Sequence, residues 1–220
     1  MKISLRYDEI LSDLKATQEL YNKIKPDLQE PILECACGSG DLLLLIQEDL
    51  LATGIDFDKD MLQLAKDKGC QNLFLKDMTQ LDFNKDYKTV LCFGDSLNYL
   101  NEKQIPDFFR GVYESLMDDG LFIVDMHHLE RLNEFKEPYI EEADMGSYQY
   151  QWTIQSDQNQ LHHQFVFYQD NDTMIDTVVQ TVFTPKFIKQ HLQNSGFRIG
   201  KEEVDSDFEK VTYWCHKEAI

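Results

Sequence analysis

Apolar residues along the first 130 positions alternate between short buried runs and segments with helical spacing. A first helix is predicted from Glu9 to about Ile24, with prolines following its end. Predicted strands lie at residues 32–36, 52–58, 71–77, 88–95 and 121–127, and predicted helices at 41–50, 59–68 and 106–117. Strands that alternate with helices in this way indicate a parallel sheet with helices on both faces.

The spacing of apolar residues changes to period two in the last third of the chain. Segments 148–155, 161–169 and 176–184 alternate apolar and polar residues, and short polar stretches such as Asp170–Met174 suit hairpin turns between them. These segments predict an antiparallel insertion over residues 139–183. A helix from Thr184 to Asn194 and strands at 197–203 and 211–217 follow, so we expect residues 1–220 to form a single domain.

Composition and charge narrow the class of partner. The chain has 220 residues, 42% of them hydrophobic, and 40 acidic against 21 basic residues give a net charge of −19. Such a field repels phosphate backbones and anionic lipids, so we expect neither nucleic acid nor a membrane as a partner. Charges stand where a signal peptide needs an apolar core, and the five scattered cysteines do not suggest a disulfide framework. We therefore expect a cytoplasmic protein.

The segment ILECACGSGDLLLLI, residues 32–46, raises the question of a ligand site. Gly38 and Gly40 stand where a strand must turn sharply into a helix, and glycine lets a ligand approach the backbone there. A dinucleotide fingerprint requires a third glycine at the position of Leu43, which weakens a nicotinamide interpretation. A metal pair at Cys35 and Cys37 lacks a second pair at zinc spacing, so we expect no metal site.

Acidic residues at the ends of the first three strands favour a nucleoside-type ligand. Glu34 precedes the glycine turn, Asp56 ends the second strand and Asp77 ends the third. A carboxylate at the position of Asp56 can accept hydrogen bonds from both ribose hydroxyls. Asp77 could meet an adenine amino group.

Together these motifs resemble those of the class I S-adenosylmethionine-dependent methyltransferases. The resemblance rests on Glu34-x-x-x-Gly38-x-Gly40, Asp56, Lys76-Asp77-Met78, VLCFGDSLNYL and LMDDGLFIVDMH, in that order. It implies an α/β fold in which helices flank a Rossmann-like seven-stranded sheet, with an inserted antiparallel β-sheet before the last helix. It also implies S-adenosyl-L-methionine as cofactor and methyl transfer to an N or O atom of a small-molecule acceptor.

The resemblance implies roles for individual residues. Glu34 would contact the methionine amino end, Asp56 the ribose, and Phe57 the adenine. Asp77 and Met78 would address the adenine amino group and ring face. The remaining implied cofactor-binding residues are Cys35, Gly38, Gly40, Met61, Phe93 and Gly94. The segment Phe93-Gly94-Asp95-Ser96 lacks the Asn/Asp-Pro-Pro-aromatic sequence of amino-methylating nucleic-acid enzymes, which argues against base methylation.

No strict catalytic residue can be required, because the cofactor itself carries the activated methyl group. The candidates facing the site are Tyr7, Asp95, Asn98, Tyr99, Asp125 and His127. Two alternatives stay open: an oxidoreductase with a nucleotide cofactor, and a non-catalytic module that binds S-adenosylmethionine or a partner. The insertion is expected to cover the mouth of the site and select the acceptor; its alternative role is an edge extension or a homodimer contact.

Overall fold

The computed structural model describes residues 3–170, 172–207 and 209–218, except for the side chain of Leu5. The helices are α1 Tyr7–Ile10, α2 Leu14–Ile24, α3 Asp41–Gln47, α4 Lys59–Asp67, α5 Ile105–Ser115, α6 Glu130–Glu134 and α7 Pro185–Asn194. The strands are β1 Ile32–Cys35, β2 Ala52–Asp56, β3 Leu73–Leu75, β4 Tyr87–Cys92, β5 Leu116–His127, β6 Tyr139–Asp144, β7 Gln149–Asp157, β8 Gln160–Gln169, β9 Asp172–Thr181, β10 Phe197–Val204 and β11 Lys210–Lys217.

Seven strands form one sheet in the order β3-β2-β1-β4-β5-β11-β10. In this order the first five strands, β3, β2, β1, β4 and β5, are parallel to one another. Strand β11 is antiparallel to β5, and β10 is antiparallel to β11. The carboxyl ends of the parallel strands meet at one edge of the sheet, where ligands of open α/β folds bind. The predicted fold class is confirmed.

Both faces of the sheet are buried, which explains the nearly continuous apolar character of its central strands. Leu33 and Cys35 of β1 pack with α5 and α7 in one core cluster, whereas Ile32 packs with α2 and α3 in a second cluster on the opposite face. Because strand side chains alternate, Glu34 lies on the same face as Ile32. Within the described part of the chain, no helix is long and apolar enough to cross a membrane.

The N-terminal region contains two helices, so the prediction of a single helix from Glu9 to Ile24 is wrong. Helix α1 ends at Ile10, and Asp13 adopts an extended conformation before α2. Its carboxylate accepts the backbone N–H groups of Lys15 and Ala16 at 3.0 and 2.9 Å. This N-cap starts a new helix, because it satisfies two N–H groups that an uninterrupted helix would bond to preceding carbonyls.

The second sheet has four antiparallel strands in the order β6-β7-β8-β9, one more than the three period-two segments predict. Strand β6 is an edge strand with most of its residues exposed or half-buried, so its sequence YIEEAD shows little alternation. Strand β9 already begins at Asp172; the predicted turn at Asp170–Met174 includes Asn171, which lies outside the described residues.

The N-terminal segment and α6 cover the inner face of the second sheet. Tyr148, Tyr150, Phe165 and Phe167 pack with apolar side chains of residues 3–11. A separate cluster joins the sheet to Phe135 and to α6. These four aromatic residues therefore bury their rings against elements outside the seven-stranded sheet.

Candidate active site

The turn between β1 and α3 has an unusual backbone. Ala36, Gly38 and Gly40 adopt φ values of 54°, 56° and 83°, a region that L-residues with a Cβ rarely occupy. Ala36 is therefore held there by its surroundings, and such locally strained residues cluster at functional sites. The N–H of Cys37 donates to the carbonyl of Ile55 at 2.9 Å and fixes the turn to β2.

The two glycines of this turn have different surroundings. A Cβ at Gly40 would lie 2.8 Å from the Cβ of Ala65 and 2.6 Å from Sγ of Cys70. Gly40 is thus required by close packing against α4, and the space beside it is filled by protein. A Cβ at Gly38 would meet only Cε of Met61, at 3.3 Å, so the open side of the turn is at Gly38.

Leu43 stands where a dinucleotide fingerprint has its third glycine, and a glycine on β2 takes over its role in close packing. A Cβ on Gly54 of β2 would lie 2.5 Å from Cδ2 of Leu43 and 2.8 Å from Sγ of Cys37. The glycine that permits close approach of α3 to the sheet is therefore on the strand, not on the helix. On the α3 side, this contact is made by the apolar side chain of Leu43.

Glu34 is a buried carboxyl group behind the turn, with 4% of the residue exposed. Its Oε2 atom has no hydrogen-bond partner among the described residues. Burial, together with the charges of Asp56 and Asp41, raises the pKa of Glu34 to about 8. A carboxyl group in this state would gain a charge partner from a cationic ligand.

Asp56 connects the end of β2 to the turn. Its Oδ2 accepts the N–H of Gly38 at 2.9 Å, and its Oδ1 accepts the N–H of Asp58 at 2.8 Å. Burial raises the pKa of Asp56, although these two N–H groups offset part of that effect. Asp58 caps α4 through the N–H of Asp60, so Asp56 is not needed as a helix cap. Phe57 lies between them with 72% of its surface exposed.

The residues predicted for an adenine site lie after β3. Asp77 is exposed and accepts the backbone N–H and the hydroxyl of Thr79 at 2.8 and 2.7 Å. Met78 is half-buried and packs on the core cluster of α5. The N–H of Lys76 donates to the carbonyl of Asp56 at 2.9 Å, which ties this segment to the end of β2.

The remaining predicted cofactor residues flank the turn at the ends of β1 and β4. The side chains of Cys35 and Phe93 are buried in the two core clusters on opposite faces of the sheet. Gly94 is exposed at φ 71°, and a Cβ there would meet nothing within 4 Å. At this point the chain presents backbone rather than side chains to the edge of the sheet.

Two carboxylates and a lysine form a charged group beyond Gly94. Lys210 Nζ lies 3.2 Å from Oδ2 of Asp95 and 3.4 Å from Oδ2 of Asp125. Burial opposes ionisation of Asp95, but the charge of Lys210 holds the pKa of Asp95 below its usual range. Burial and the charge of Asp95 raise the pKa of Asp125, so Asp95 ionises at a lower pH than Asp125.

Lys210 is the residue that sequence reasoning missed in this group. It begins β11, and its backbone pairs with His127 at the end of β5. Burial disfavours its charge, but Asp125 and Asp95 raise the pKa of Lys210 above its usual range. An isolated lysine between Glu209 and Val211 carries no local signal, because the antiparallel pairing alone brings it to the site.

His127 and Asn98 connect the seven-stranded sheet to the insertion. His127 Nε2 lies 2.9 Å from Oε1 of Gln180 on β9, and its Nδ1 lies 3.5 Å from Oδ1 of Asp95. Asn98 is fully buried; it accepts the N–H of His127 at 3.0 Å and donates to the carbonyl of Thr181 at 2.7 Å. One end of the insertion is therefore held at the carboxyl ends of β4 and β5.

Tyr7 and Tyr99 belong to the same region. Burial, and then the charge of Asp41, raises the pKa of Tyr7, on which Lys210 and Asp95 also act. Burial, followed by Tyr7 and Asp95, raises the pKa of Tyr99. The structure thus brings four predicted catalytic candidates together: Tyr7, Asp95, Tyr99 and His127.

Comparison with known proteins relates the chain to methyltransferases. A family model described as a methyltransferase domain matches residues 32–120, which contain the glycine turn and the carboxylates at the strand ends. A protein of Geobacillus sp. (strain WCH70) that is named a methyltransferase is 28% identical over 191 residues, covering 80% of this chain and 76% of that protein. The chain therefore contains a methyltransferase domain over residues 32–120, and over a longer stretch it is similar to a protein named a methyltransferase.

Solved structures agree with this methyltransferase in fold over nearly the whole chain. An S-adenosylmethionine-dependent methyltransferase from Clostridium acetobutylicum superposes with a TM-score of 0.82 at 20% identity, covering 99% of this chain and 98% of that one. A sugar N-methyltransferase from Streptoalloteichus sp. superposes with a TM-score of 0.78 at 16% identity, covering 100% and 94%. The agreement includes the insertion, which lies outside the residues that the family model matches.

Proposed function

We propose that this methyltransferase transfers the methyl group of S-adenosyl-L-methionine to an N or O atom of a small-molecule acceptor. One observation carries the proposal: the open glycine turn, the unpaired Glu34 and the charged group at Asp95 all lie at the carboxyl edge of one sheet. The first two suit a cofactor with a cationic amino acid end. The third lies where the insertion joins the core, which suits an acceptor.

The cofactor would lie against the open side of the turn. Glu34 would receive its amino group, because Oε2 is buried and lacks a hydrogen-bond partner in the described structure. Asp56 would exchange the N–H of Gly38 for the ribose hydroxyls, and the exposed ring of Phe57 would lie against the adenine. When bound, the cofactor supplies a methyl group on a sulfonium, which is already activated for displacement.

Several proposed cofactor residues act through backbone or position. Gly38 would leave room for the methionine portion, whereas Gly40 sets the close packing of α4. Met61 lies beside Gly38, and Gly94 provides an open backbone at the end of β4. Asp77 and Met78 would face the adenine from the segment after β3, with Asp77 turning from Thr79 to the amino group.

The protein would promote transfer mainly by positioning the acceptor. A nucleophilic atom must be held about 3–3.5 Å from the methyl carbon for an in-line displacement. Tyr7, Tyr99 and the ionised Asp95 present polar groups to the space between the turn and the insertion. We propose that the insertion covers the mouth of the site and selects the acceptor, because Gln180 and Thr181 anchor it beside His127 and Asn98.

The acceptor class can be tested with a radiolabelled methyl donor. The purified protein would be incubated with S-adenosyl-L-methionine labelled on the methyl group and with panels of small amines, amino sugars and matched alcohols. We expect label in at least one amine or alcohol, and loss of transfer in an Asp56→Ala variant. Cofactor binding without transfer to any member would favour the non-catalytic binding module instead.

A further inference from the structure

A chain of hydrogen bonds runs from the insertion into the charged group at Asp95. Trp152 Nε1 donates to Nδ1 of His163 at 3.3 Å. His163 Nε2 lies 3.0 Å from Oε1 of Gln180, and His127 Nε2 lies 2.9 Å from the same oxygen. The chain crosses β7, β8 and β9 and ends at β5, so it links the two sheets through side chains alone.

Trp152 fixes the tautomer of His163. The indole N–H is a donor only, so Nδ1 of His163 must carry a lone pair. His163 is consequently neutral with its hydrogen on Nε2. Burial lowers the pKa of His163 to about 4, which agrees with a neutral ring. The Trp152 ring also stacks on His163, with ring centroids 5.9 Å apart and planes inclined by 22°.

The tautomer of His163 fixes the amide of Gln180, and the amide fixes His127. Because Nε2 of His163 donates, the atom of Gln180 that faces it must be the carbonyl oxygen. The same oxygen faces Nε2 of His127, so this nitrogen must also donate. Neutral His127 therefore has its lone pair on Nδ1, which faces Oδ1 of Asp95 at 3.5 Å.

Two hydrogen-bond acceptors thus face each other across 3.5 Å in a buried place. Neither His127 Nδ1 nor Asp95 Oδ1 has a hydrogen-bond partner in the part of the chain that the structure describes. The pair can receive one proton, at Nδ1, and would then form an Nδ1–H···Oδ1 ion pair. As long as Nδ1 carries no hydrogen, the described structure holds the Asp95 carboxylate through Oδ2, by Lys210.

We propose that Gln180 is a positioning residue that transmits the tautomer set by Trp152 to His127, so that the hydrogen of the neutral ring lies on Nε2 and the lone pair of Nδ1 faces Asp95. Lys210 then orients the Asp95 carboxylate, on the acceptor side of the site, through Oδ2. The space between Oδ1 of Asp95 and Nδ1 of His127 can receive one proton. This inference rests on the proposed function only for the identity of that side as the acceptor side.

Charged or polar groups from every element packed around His127 bear on which of its nitrogens carries the hydrogen. Asp95 faces it from the loop after β4, and Lys210 of β11 holds Asp95 and Asp125. Gln180 and His163 face it from β9 and β8, and the charge of Arg131 on α6 acts on both Asp95 and His163. None of these groups except Gln180 offers an acceptor to Nε2 of His127, so the amide oxygen decides the tautomer.

The variant Gln180→Met separates this role from a merely structural one. Methionine keeps the length and apolar bulk of the side chain but offers no comparable acceptor. Neutral His127 should then move its hydrogen to Nδ1, where Asp95 Oδ1 accepts it. His163 should keep its hydrogen on Nε2, because Trp152 still donates to Nδ1.

The tautomers are read by NMR from the ¹⁵N shifts of the imidazole nitrogens at a pH where both rings are neutral. We expect hydrogen on Nε2 in both rings of the wild type, reversal of His127 alone in Gln180→Met, and retention in Gln180→Glu, which keeps an acceptor. Gln164→Met on the exposed face of β8 is the matched control and should change neither ring.

Hydrogen on Nδ1 of His127 in the wild type would overturn the proposal, as would an unchanged His127 in Gln180→Met. If Gln180→Met fails to fold, Trp152→Phe tests the preceding link, the hydrogen bond from Trp152 to His163. His163 should then lose its preference for hydrogen on Nε2. An unchanged tautomer of His163 would overturn the proposal. No methyl donor or acceptor enters these spectra, so an inactive protein would disprove the proposed function and leave this result standing.

Discussion

Replacing Glu34 by Gln should remove a strong pH dependence from cofactor binding. The pKa of Glu34 is raised to about 8 in the ligand-free protein, because the carboxyl group is buried near Asp56 and Asp41. A cationic amino group at Oε2 would stabilise the ionised form. Binding should therefore expel the proton of Glu34, and affinity should rise with pH until Glu34 is already ionised in the free protein.

The size of the effect follows from that pKa. With a free-state pKa of about 8 and a bound-state pKa well below 6, the observed dissociation constant should fall roughly 100-fold between pH 6 and pH 9, which is about 3 kcal/mol. At pH 7, about 0.9 proton should be released for each cofactor bound. A glutamine keeps the shape of the side chain and has no proton to lose. Glu34→Gln should therefore show neither the fall in dissociation constant nor the proton release.

Isothermal titration calorimetry measures both quantities. S-adenosylhomocysteine would be titrated into wild type and Glu34→Gln from pH 6 to pH 9, in pairs of buffers with different ionisation enthalpies. The ligand's own amino group titrates equally in both experiments, so the ratio of the two affinities isolates Glu34. A ratio independent of pH, or equal proton release by the two proteins, would refute the assignment of Glu34.

The stability of the ligand-free protein should show the opposite trend. The pKa of Glu34 is raised above its unfolded value, so its contribution is fully present below the unfolded pKa and is lost as pH rises through about 8. Between pH 6 and pH 9 the wild type should lose about 2–3 kcal/mol relative to Glu34→Gln in urea denaturation. A constant difference between the two proteins would show that Glu34 is already ionised at neutral pH.

Three further changes test other parts of the site. Gly40→Ala should destabilise the protein by roughly 1–3 kcal/mol more than Gly146→Ala in urea denaturation, because both glycines have positive φ but only Gly40 lacks room for a Cβ; equal losses would contradict the packing role. Asp56→Ala should weaken cofactor binding by roughly 1–3 kcal/mol in calorimetry and also lower the melting temperature, since two N–H groups lose their acceptor; unchanged affinity would reject the ribose assignment. Lys210→Met should raise the pKa of Asp95 in a ¹³C carboxyl NMR titration, and an unaltered titration would reject the ion pair.

Local patterns were enough to predict the sheet and the turn. Strands β1, β2 and β4 are short apolar runs that are buried almost throughout, so hydrophobicity alone marks them, whereas Phe74 and Leu75 of β3 are exposed. Gly38, Gly40 and Asp56 stand at fixed distances along one β-α-β unit, which is why their proximity follows from the sequence. The order of the last two strands is a property of the family resemblance and not of the local pattern.

The function of Gly40 could not be predicted from its position in the motif. The motif suggests that the glycine makes room for a ligand, whereas its Cβ position is occupied by Ala65 and Cys70 of the α4 region. Replacing Gly40 by valine should therefore disrupt the core as well as any ligand binding at the turn. Only the approach of two helices to one turn reveals this difference.

The polar contacts between the two sheets also carry no sequence signal. Trp152, His163 and Gln180 come from three strands of the insertion, and Lys210 is the first residue of β11, where it pairs with the end of β5. As sequence, they are ordinary members of period-two strands. Registers of antiparallel strands decide which of them meet, and those registers are set by long-range packing.

A crystal structure of the protein with S-adenosylhomocysteine bound would test directly where the cofactor lies. We expect the amino group within hydrogen-bond distance of Glu34 and the ribose hydroxyls on Asp56. We also expect that the N–H of Gly38 no longer donates to Asp56 and that the sulfur faces the space between Tyr7 and Asp95. A ligand bound away from the turn between β1 and α3, or an amino group that leaves Glu34 without a partner, would contradict this placement.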